Sequence, residues 1–344
     1  MPDGAVHLQA GPSPAATAAA GRARDALARG SRIDGAVALA REVGSGLPLP
    51  GGGETLALWE VLASLGAVDL TLARVVEPHV DALAILAQAG VAEDPHALWG
   101  VYAAEGGGGR LVATSTDDGW RLDGPKPWCS LADRVDRALV TAWTGDERAL
   151  FAIDLADPGV RRDEAAPWAS RGLSEVRSTG LVLEGVGARP VGAPGWYLQR
   201  PGFAWGGIGV AAIWYGGAVG LARRLLAASR SREPDQLALA HLGAVDLALH
   251  RARAVLREAA ATADAHDGDA TLADRTALRA RQAVADTVEE VLARVAHALG
   301  PAPLTGEEDH ARRVADLGVY VRQHHAERDL ARLGANLLDG TEPW

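Results

Sequence analysis

The first hundred residues carry a helical pattern of apolar positions. Across Glu54–Leu65, apolar side chains recur every three or four residues, which is helical spacing. Asp69 stands before a second run of this kind, as an N-cap residue does, and Gly90 ends that run. Alanine and leucine, both strong helix formers, dominate residues 15–98. The pattern therefore predicts a helical unit over residues 1–98.

The pattern changes to short strands after this unit. Apolar runs at 111–116 and 120–124 flank an Asp-Asp-Gly turn and predict a β-hairpin. Runs at 138–143 and 149–155 predict a second hairpin in the same way. A further strand is predicted over 179–186. Several short strands at this spacing are typical of a small β-barrel or sandwich, which we place at residues 99–200.

Long helical stripes return in the last third of the chain. Apolar residues at three-to-four spacing run through 242–256 and 284–299, and residues 308–338 are predicted to form the last helix. Short breaks separate the stripes, as expected for an antiparallel bundle over residues 201–344. The predicted fold class is α+β, mainly α: a helical unit, then a β unit, then a helical bundle.

Composition narrows the classes of function. Apolar residues make up 48% of the 344 residues, enough for a sizeable core, and the net charge is −10. This charge argues against broad binding to nucleic acid or to anionic membranes. Cys129 is the single cysteine, which excludes a disulfide framework or a multi-thiolate metal site within one chain. We expect a reducing, cytoplasmic location, no membrane span and no metal site. Lys126 is the single lysine.

One segment in the β unit suggests a family. The sequence GPKPWCSLADRVDRALVTA at 124–142 resembles a Gly-x-Lys-x-Trp-x-Thr stretch of the acyl-CoA dehydrogenase family, whose helical–β–helical order also matches. The resemblance implies a C-terminal four-helix bundle and FAD bound between the last two domains. It further implies that Trp128 packs on the flavin, that the Ser130 hydroxyl bonds to the ring, and that Cys129 lies between them.

Other segments extend the resemblance. Ala104, Glu105 and Gly106 stand where the family has a Thr-Glu-Pro-Gly loop, so the resemblance implies that they approach the flavin. Ser170 and Arg232 occupy places from which the FAD diphosphate is contacted, although the Arg-x-x-Phe-Gly motif at Arg232 is degraded. The serine with which family members often contact CoA is missing from the Gly-rich loop.

The catalytic base is the least defined part of the site. The family removes a substrate α-proton with a buried carboxylate, often from a Glu-Gly-Thr motif, and Asp339-Gly340-Thr341 is the nearest match. Residues 201–222 contain no Asp or Glu, which closes the family's other location for the base. Further candidates lie on the predicted last helix: His324, His325, Glu327 and Asp329. The Arg74-x-x-Glu77-x-His79 stretch resembles a polar patch in some relatives that lines the substrate entrance.

Three functions follow from the resemblance. The favoured one is an FAD-dependent oxidoreductase that transfers hydride from a small acyl thioester, including an acyl-CoA, or a related carbon acid. The second is a flavin oxidase or monooxygenase, for which FMN stays open. The third is a catalytically degenerate subunit that partners an active homologue. A homodimer or homotetramer is expected for the active forms.

Overall fold

The computed structural model describes residues 4–11, 13–92, 94, 96–106, 108–162, 167–231, 233–265 and 268–338. Four helices come first, followed by seven strands and then seven more helices. The first four are α1 (Pro14–Leu27), α2 (Arg32–Val43), α3 (Thr55–Val68) and α4 (Leu70–Gln88). The Asp69 carboxylate accepts the Leu72 N–H at 2.8 Å, which confirms the predicted N-cap of α4.

The strands form one sheet. They are β1 (Trp99–Tyr102), β2 (Val112–Thr116), β3 (Gly119–Lys126), β4 (Arg137–Thr144), β5 (Glu147–Asp154), β6 (Val160–Arg162) and β7 (Leu181–Val191). Both predicted hairpins are confirmed, because β2 pairs antiparallel with β3, and β4 with β5. β7 joins the hairpins by pairing with both β3 and β5. β1 runs parallel to β4, and a single residue pair links β4 to β2.

The remaining helices complete the fold. They are α5 (Trp196–Gln199), α6 (Pro201–Ser231), α7 (Gln236–Ala265), α8 (Ala270–Leu299), α9 (Ala302–Gly306), α10 (Glu308–Tyr320) and α11 (Glu327–Leu338). α6 packs against α3, α7, α8 and α10. By length and composition α6 could cross a membrane, yet 67% of its most apolar window is buried inside the protein. It is the central core helix, which joins the two helical regions.

The prediction of one helix over 308–338 is wrong. α10 ends at Tyr320, a short 3₁₀ turn follows, and α11 begins only at Glu327. His324 has extended backbone angles and Ala326 adopts a left-handed φ of 48°. The Asp329 carboxylate and the His324 ring accept backbone N–H groups in this turn, at 3.2 Å each. These bonds satisfy donors that a continuous helix would have used, and they stabilise the break.

Candidate functional site

The loop after β3 is anchored by the buried Lys126. Its ammonium donates to Glu105 Oε1 at 3.1 Å and to both oxygens of Thr141 at 2.8 Å, so all three of its hydrogens are used. Burial lowers the pKa of Lys126, and the bond to Glu105 opposes that shift. Glu105 also accepts the Trp143 indole N–H at 3.2 Å. Glu105, predicted as a flavin contact, is thus also one of the partners that hold Lys126 in this loop.

Trp128 projects from the loop into solvent. Its backbone φ is 59°, a left-handed value that a bulky residue rarely adopts, and the residue is 60% exposed. The next residue, Cys129, is buried and bonds its N–H to the Thr179 carbonyl at 2.8 Å. Burial raises the pKa of the Cys129 thiol to about 12, so the thiol stays neutral. The backbone therefore presents the Trp128 ring outward while Cys129 holds the loop.

Ser130 sits at the centre of a hydrogen-bond network. Its carbonyl accepts the Tyr102 hydroxyl at 3.0 Å, which fixes the backbone. Its hydroxyl lies 2.8 Å from the Ser178 hydroxyl and accepts from Arg74 Nη2 at 3.1 Å. Ser178 donates its own hydrogen to the Val176 carbonyl at 3.1 Å, so Ser130 is the donor within the serine pair.

Arg74 connects this loop to a carboxyl on α4. Its Nη1 donates to Glu77 Oε2 at 3.2 Å, and the Tyr320 hydroxyl donates to the same oxygen at 3.4 Å. Burial raises the pKa of Glu77 to about 7, against the opposing charge of Arg74, and nearby Asp81 raises it further. A carboxyl with a pKa near neutrality can both accept and release a proton in a reaction.

Glu77 lines a cavity of about 260 Å³ between α4, α6, α8 and α11. Asp81, one turn further along α4, also lines it, and burial raises the pKa of Asp81. A Cβ at Gly206 on α6 would stand 2.9 Å from Asp81 Oδ1. Glycine at this position therefore leaves room for the carboxylate. The cavity wall contains seven further ionisable side chains: Tyr197, Arg200, Asp274, Arg281, His325, Asp329 and Arg332.

The far side of the cavity is formed by α8 and α11. Arg281 donates to the Gly207 carbonyl at 2.6 Å, and its guanidinium lies 4.9 Å from the Trp214 ring centre. Asp274 pairs with Arg332, and Asp329 lies 3.5 Å from His325 Nδ1. Ion pairs and hydrogen bonds thus hold most of the charges in this wall in place.

The structure brings some of the predicted base candidates near the cavity and leaves others outside. His325 and Asp329 line it. His324 is buried, its Nε2 has no hydrogen-bond partner among the described residues, and burial lowers its pKa. Glu327 is exposed at the start of α11 and does not line the cavity. Asp339 lies outside the described residues.

Two of the remaining predicted flavin contacts lie on the surface of the β unit. Ala104 and Gly106 are exposed, and a Cβ at Gly106 would lie 2.9 Å from the Pro127 ring, so the Gly-rich loop packs beside the Trp128 loop. Ser170 donates to the nearby Gly172 carbonyl. Arg232 lies outside the described residues. Within the described ranges, no group of His, Cys, Asp and Glu side chains is arranged to hold a metal ion.

Sequence reasoning missed Glu77 and Asp81 as chemical groups. It noted Glu77 only as part of a polar patch at a substrate entrance. A signal was present, because these carboxylates are four residues apart on α4, on a helix whose other positions are mostly apolar and buried. An acidic pair at this spacing shares one face of the helix, and burial of that face raises both pKa values.

The Trp128 loop has the features that a flavin ring requires. A large exposed aromatic face, the hydroxyl of Ser130 and the close-packed Gly106 loop lie together on the surface of the β unit. An apolar ring on this face would cover the indole, and Ser130 keeps one acceptor position that no described side chain uses. The residues that are present therefore fit a flavin.

The order of helices and strands, together with this loop, defines the class: the chain has the fold of the acyl-CoA dehydrogenases, as the resemblance implied. No protein-family model and no curated protein matches the sequence. Solved structures do match. The structure of TdsC from Paenibacillus sp. A11-2 with FMN and indole has a TM-score of 0.80 at 18% identity, over 96% of this chain and 98% of that one.

Two further solved structures are similar over nearly the whole chain. KijD3 in complex with FMN and dTDP-3-amino-2,3,6-trideoxy-4-keto-3-methyl-D-glucose has a TM-score of 0.80 at 18% identity, over 97% of this chain and 96% of that one. Butyryl-CoA dehydrogenase from Megasphaera elsdenii has a TM-score of 0.79 at 18% identity, over 96% of this chain and 100% of that one. At these identities the likeness establishes the fold alone.

Proposed function

We propose that this protein is a flavin-dependent oxidoreductase whose substrate binds in the cavity beside Glu77. The observation that carries the proposal is the position of Glu77. It is a largely buried carboxyl, with a side chain 13% exposed and a pKa raised to about 7, that lines the cavity, and Arg74 joins it to Ser130. An enzyme that removes a proton from a carbon acid needs a carboxyl raised in pKa by burial.

In this proposal Glu77 replaces Asp339 as the catalytic base. A bound flavin would supply the hydride acceptor. Trp128 would shield one face of the ring from water, and Ser130 would orient it. Glu77 takes the proton from the substrate carbon next to the bond that is oxidised. Its pKa, raised by burial to about 7, suits a base that accepts a proton at neutral pH.

The cavity favours a small substrate over a long acyl chain, because its volume is about 260 Å³. Apolar side chains, among them Phe203, Val210 and Leu278, line it together with carboxylates and guanidinium groups. A matching substrate would place an apolar part against the former and a polar or charged group against the latter. We therefore propose a small carbon acid of this mixed character, and a short acyl thioester remains within this class.

A monooxygenase is the second candidate. TdsC, described as a dibenzothiophene monooxygenase, and KijD3 were both solved with FMN. α6 supplies no carboxylate within 201–222, so the family's second location for a catalytic base is empty here. In this alternative Glu77 would supply a proton when oxygen is reduced in the site, and FMN would replace FAD.

One experiment separates these candidates. The purified protein is examined for a visible flavin spectrum, and the released flavin is identified by chromatography. Flavin-bound protein is then reduced without oxygen and mixed with air. Slow reoxidation supports the dehydrogenase, whereas fast oxygen consumption supports the oxidase or monooxygenase. Protein that stays colourless after incubation with both FAD and FMN overturns both enzyme proposals and leaves the degenerate subunit, to be tested by co-purification with a homologue.

We also propose, from the likeness in fold, which elements form the β-barrel and the four-helix bundle, and how the chains assemble. The sheet would serve as the small barrel of this fold, and α6, α7, α8 and α10 as its four-helix bundle, within units at 1–98, 99–200 and 201–344.

The active form would be a cytoplasmic homodimer or homotetramer, with a heteromer as the alternative. Light scattering of the flavin-bound protein gives the mass that tests the assembly.

A further inference from the structure

We propose that Arg74 is a positioning residue that couples the hydroxyl facing the flavin to the carboxyl that moves the proton. This inference rests on the proposed function. It adds a role for a residue that the resemblance associates only with a polar patch at the substrate entrance.

The first support is the geometry of the guanidinium. One terminal nitrogen donates to Ser130 and the other donates to Glu77, at 3.1 and 3.2 Å. The two nitrogens are held at a fixed separation in one plane. The positions of the serine hydroxyl and the carboxyl oxygen are therefore tied to each other. The side chain is only 14% exposed and stands 5.8 Å from the Tyr320 ring centre, which limits its movement.

The second support is the hydrogen count at Ser130. Its hydrogen goes to Ser178, because the Ser178 hydrogen already goes to the Val176 carbonyl. One of its two acceptor positions is used by Arg74. The position that remains can accept a hydrogen bond but not donate one. A flavin bound with its N5 atom toward this position would carry a hydrogen to donate there only in the reduced ring, so the arrangement would favour reduction.

The third support is charge. The positive charge of Arg74 is separated from the flavin contact by a single hydroxyl, and it also touches Glu77. A positive charge at this position stabilises both a negatively charged reduced ring and the ionised carboxylate. Three other charged or titratable groups face Glu77: Asp81 on α4, Tyr320 on α10 and Arg281 on α8. Of the two guanidinium groups near Glu77, Arg74 is the one hydrogen-bonded to it.

The test compares R74Q and R74K with the control R224Q. Arg224 lies on α6, away from Arg74, and R224Q breaks its partly exposed ion pair with Glu307. The reduction potential of the bound flavin is measured in each variant. We expect R74Q to lower the equilibrium constant for two-electron reduction of the bound flavin at least tenfold, which lowers its reduction potential by about 30 mV. R74K keeps the charge but cannot reach both partners, so its potential should fall less. R224Q should match the unchanged protein.

A second readout uses flavin-free protein. Infrared titration of the carboxyl band, identified by its loss in E77Q, follows Glu77 directly. We expect R74Q to move the midpoint of this titration upward by about one pH unit or more. A potential and a midpoint that both stay at the unchanged values in R74Q, or in R74K if R74Q does not fold, would show that Arg74 is merely structural. Flavin bound by the unchanged protein decides the proposed function separately.

Discussion

Two polar clusters of this protein handle buried charge in opposite ways. The Lys126 cluster (Lys126, Glu105 and Thr141) uses every hydrogen of its ammonium in bonds of 2.8–3.1 Å. The Glu77 cluster (Arg74, Glu77 and Asp81) leaves its carboxyls with raised pKa values, and Asp81 lies 3.9 Å from Arg200, at the outer limit of an ion pair. Full pairing holds a loop in place, whereas incomplete pairing leaves groups able to exchange protons.

The sharpest test of this contrast is E77Q, with the largest expected effect. Loss of a proton-transferring group should lower kcat by about 10²–10⁴-fold, while flavin binding stays unchanged. Steady-state kinetics at several pH values measure it, and the ionisation near pH 7 should disappear from the profile. E290Q, in an exposed ion pair on α8, is the matched control. Full activity in E77Q would place the proton transfer on another residue.

K126M should lower the stability of the fold, in contrast to E77Q, which should lower activity. Removing the ammonium leaves the carbonyl and hydroxyl of Thr141 without their donor in a buried site. We expect the free energy of unfolding to fall by about 3 kcal/mol, measured by urea denaturation. The control is R161M, which breaks an exposed pair with Glu184 and should cost less than about 1 kcal/mol. An equal loss in both variants would contradict the role of Lys126 as anchor.

G206A should narrow the cavity without weakening the fold. The added Cβ would stand 2.9 Å from Asp81 Oδ1 and displace that carboxylate. We expect kcat/KM to fall roughly tenfold, about 1.4 kcal/mol, while the higher helix propensity of alanine offsets the strain in α6. Gly243 on α7 has open space around it, so G243A should gain stability and keep full activity. Unchanged kinetics in G206A would remove Asp81 from the substrate site.

The smallest effect concerns stability against pH. The pKa of Glu77 is about 7 in the folded chain against an ordinary 4.5, so the folded state binds the extra proton between these values. The stability that Glu77 contributes is present below pH 4.5 and is lost as the pH rises through 7. The free energy of unfolding should therefore fall with pH less steeply in E77Q than in the unchanged protein, by up to about 1.4 kcal/mol per pH unit. Urea denaturation between pH 5 and 7 measures this slope.

His79, two residues along α4, should act in the opposite direction. Burial lowers its pKa to about 4 from an ordinary 6.5, so its contribution is lost as the pH falls through this range. H79Q should therefore flatten the acid side of the stability curve and leave the slope from Glu77 in place. An identical curve in H79Q would contradict this assignment.

Local patterns predicted the elements better than they predicted the chemistry. The Asp69 N-cap and both hairpins follow from neighbouring residues, and each is found in the structure. The break before Glu327 depends on the left-handed backbone of Ala326, which the His324 side chain of the same turn stabilises. The helical spacing of apolar residues does not indicate this break. The raised pKa of Glu77 depends on burial by other helices, which one sequence does not reveal.

The burial of Lys126 has a practical consequence. Because it is the single lysine, and its amine is enclosed and fully bonded, reagents that acylate lysine side chains find no accessible target in the folded chain. Acylation of Lys126 can occur only when the loop before Trp128 opens. The rate of that single modification, read by mass spectrometry, would therefore report directly on the opening of the Trp128 loop.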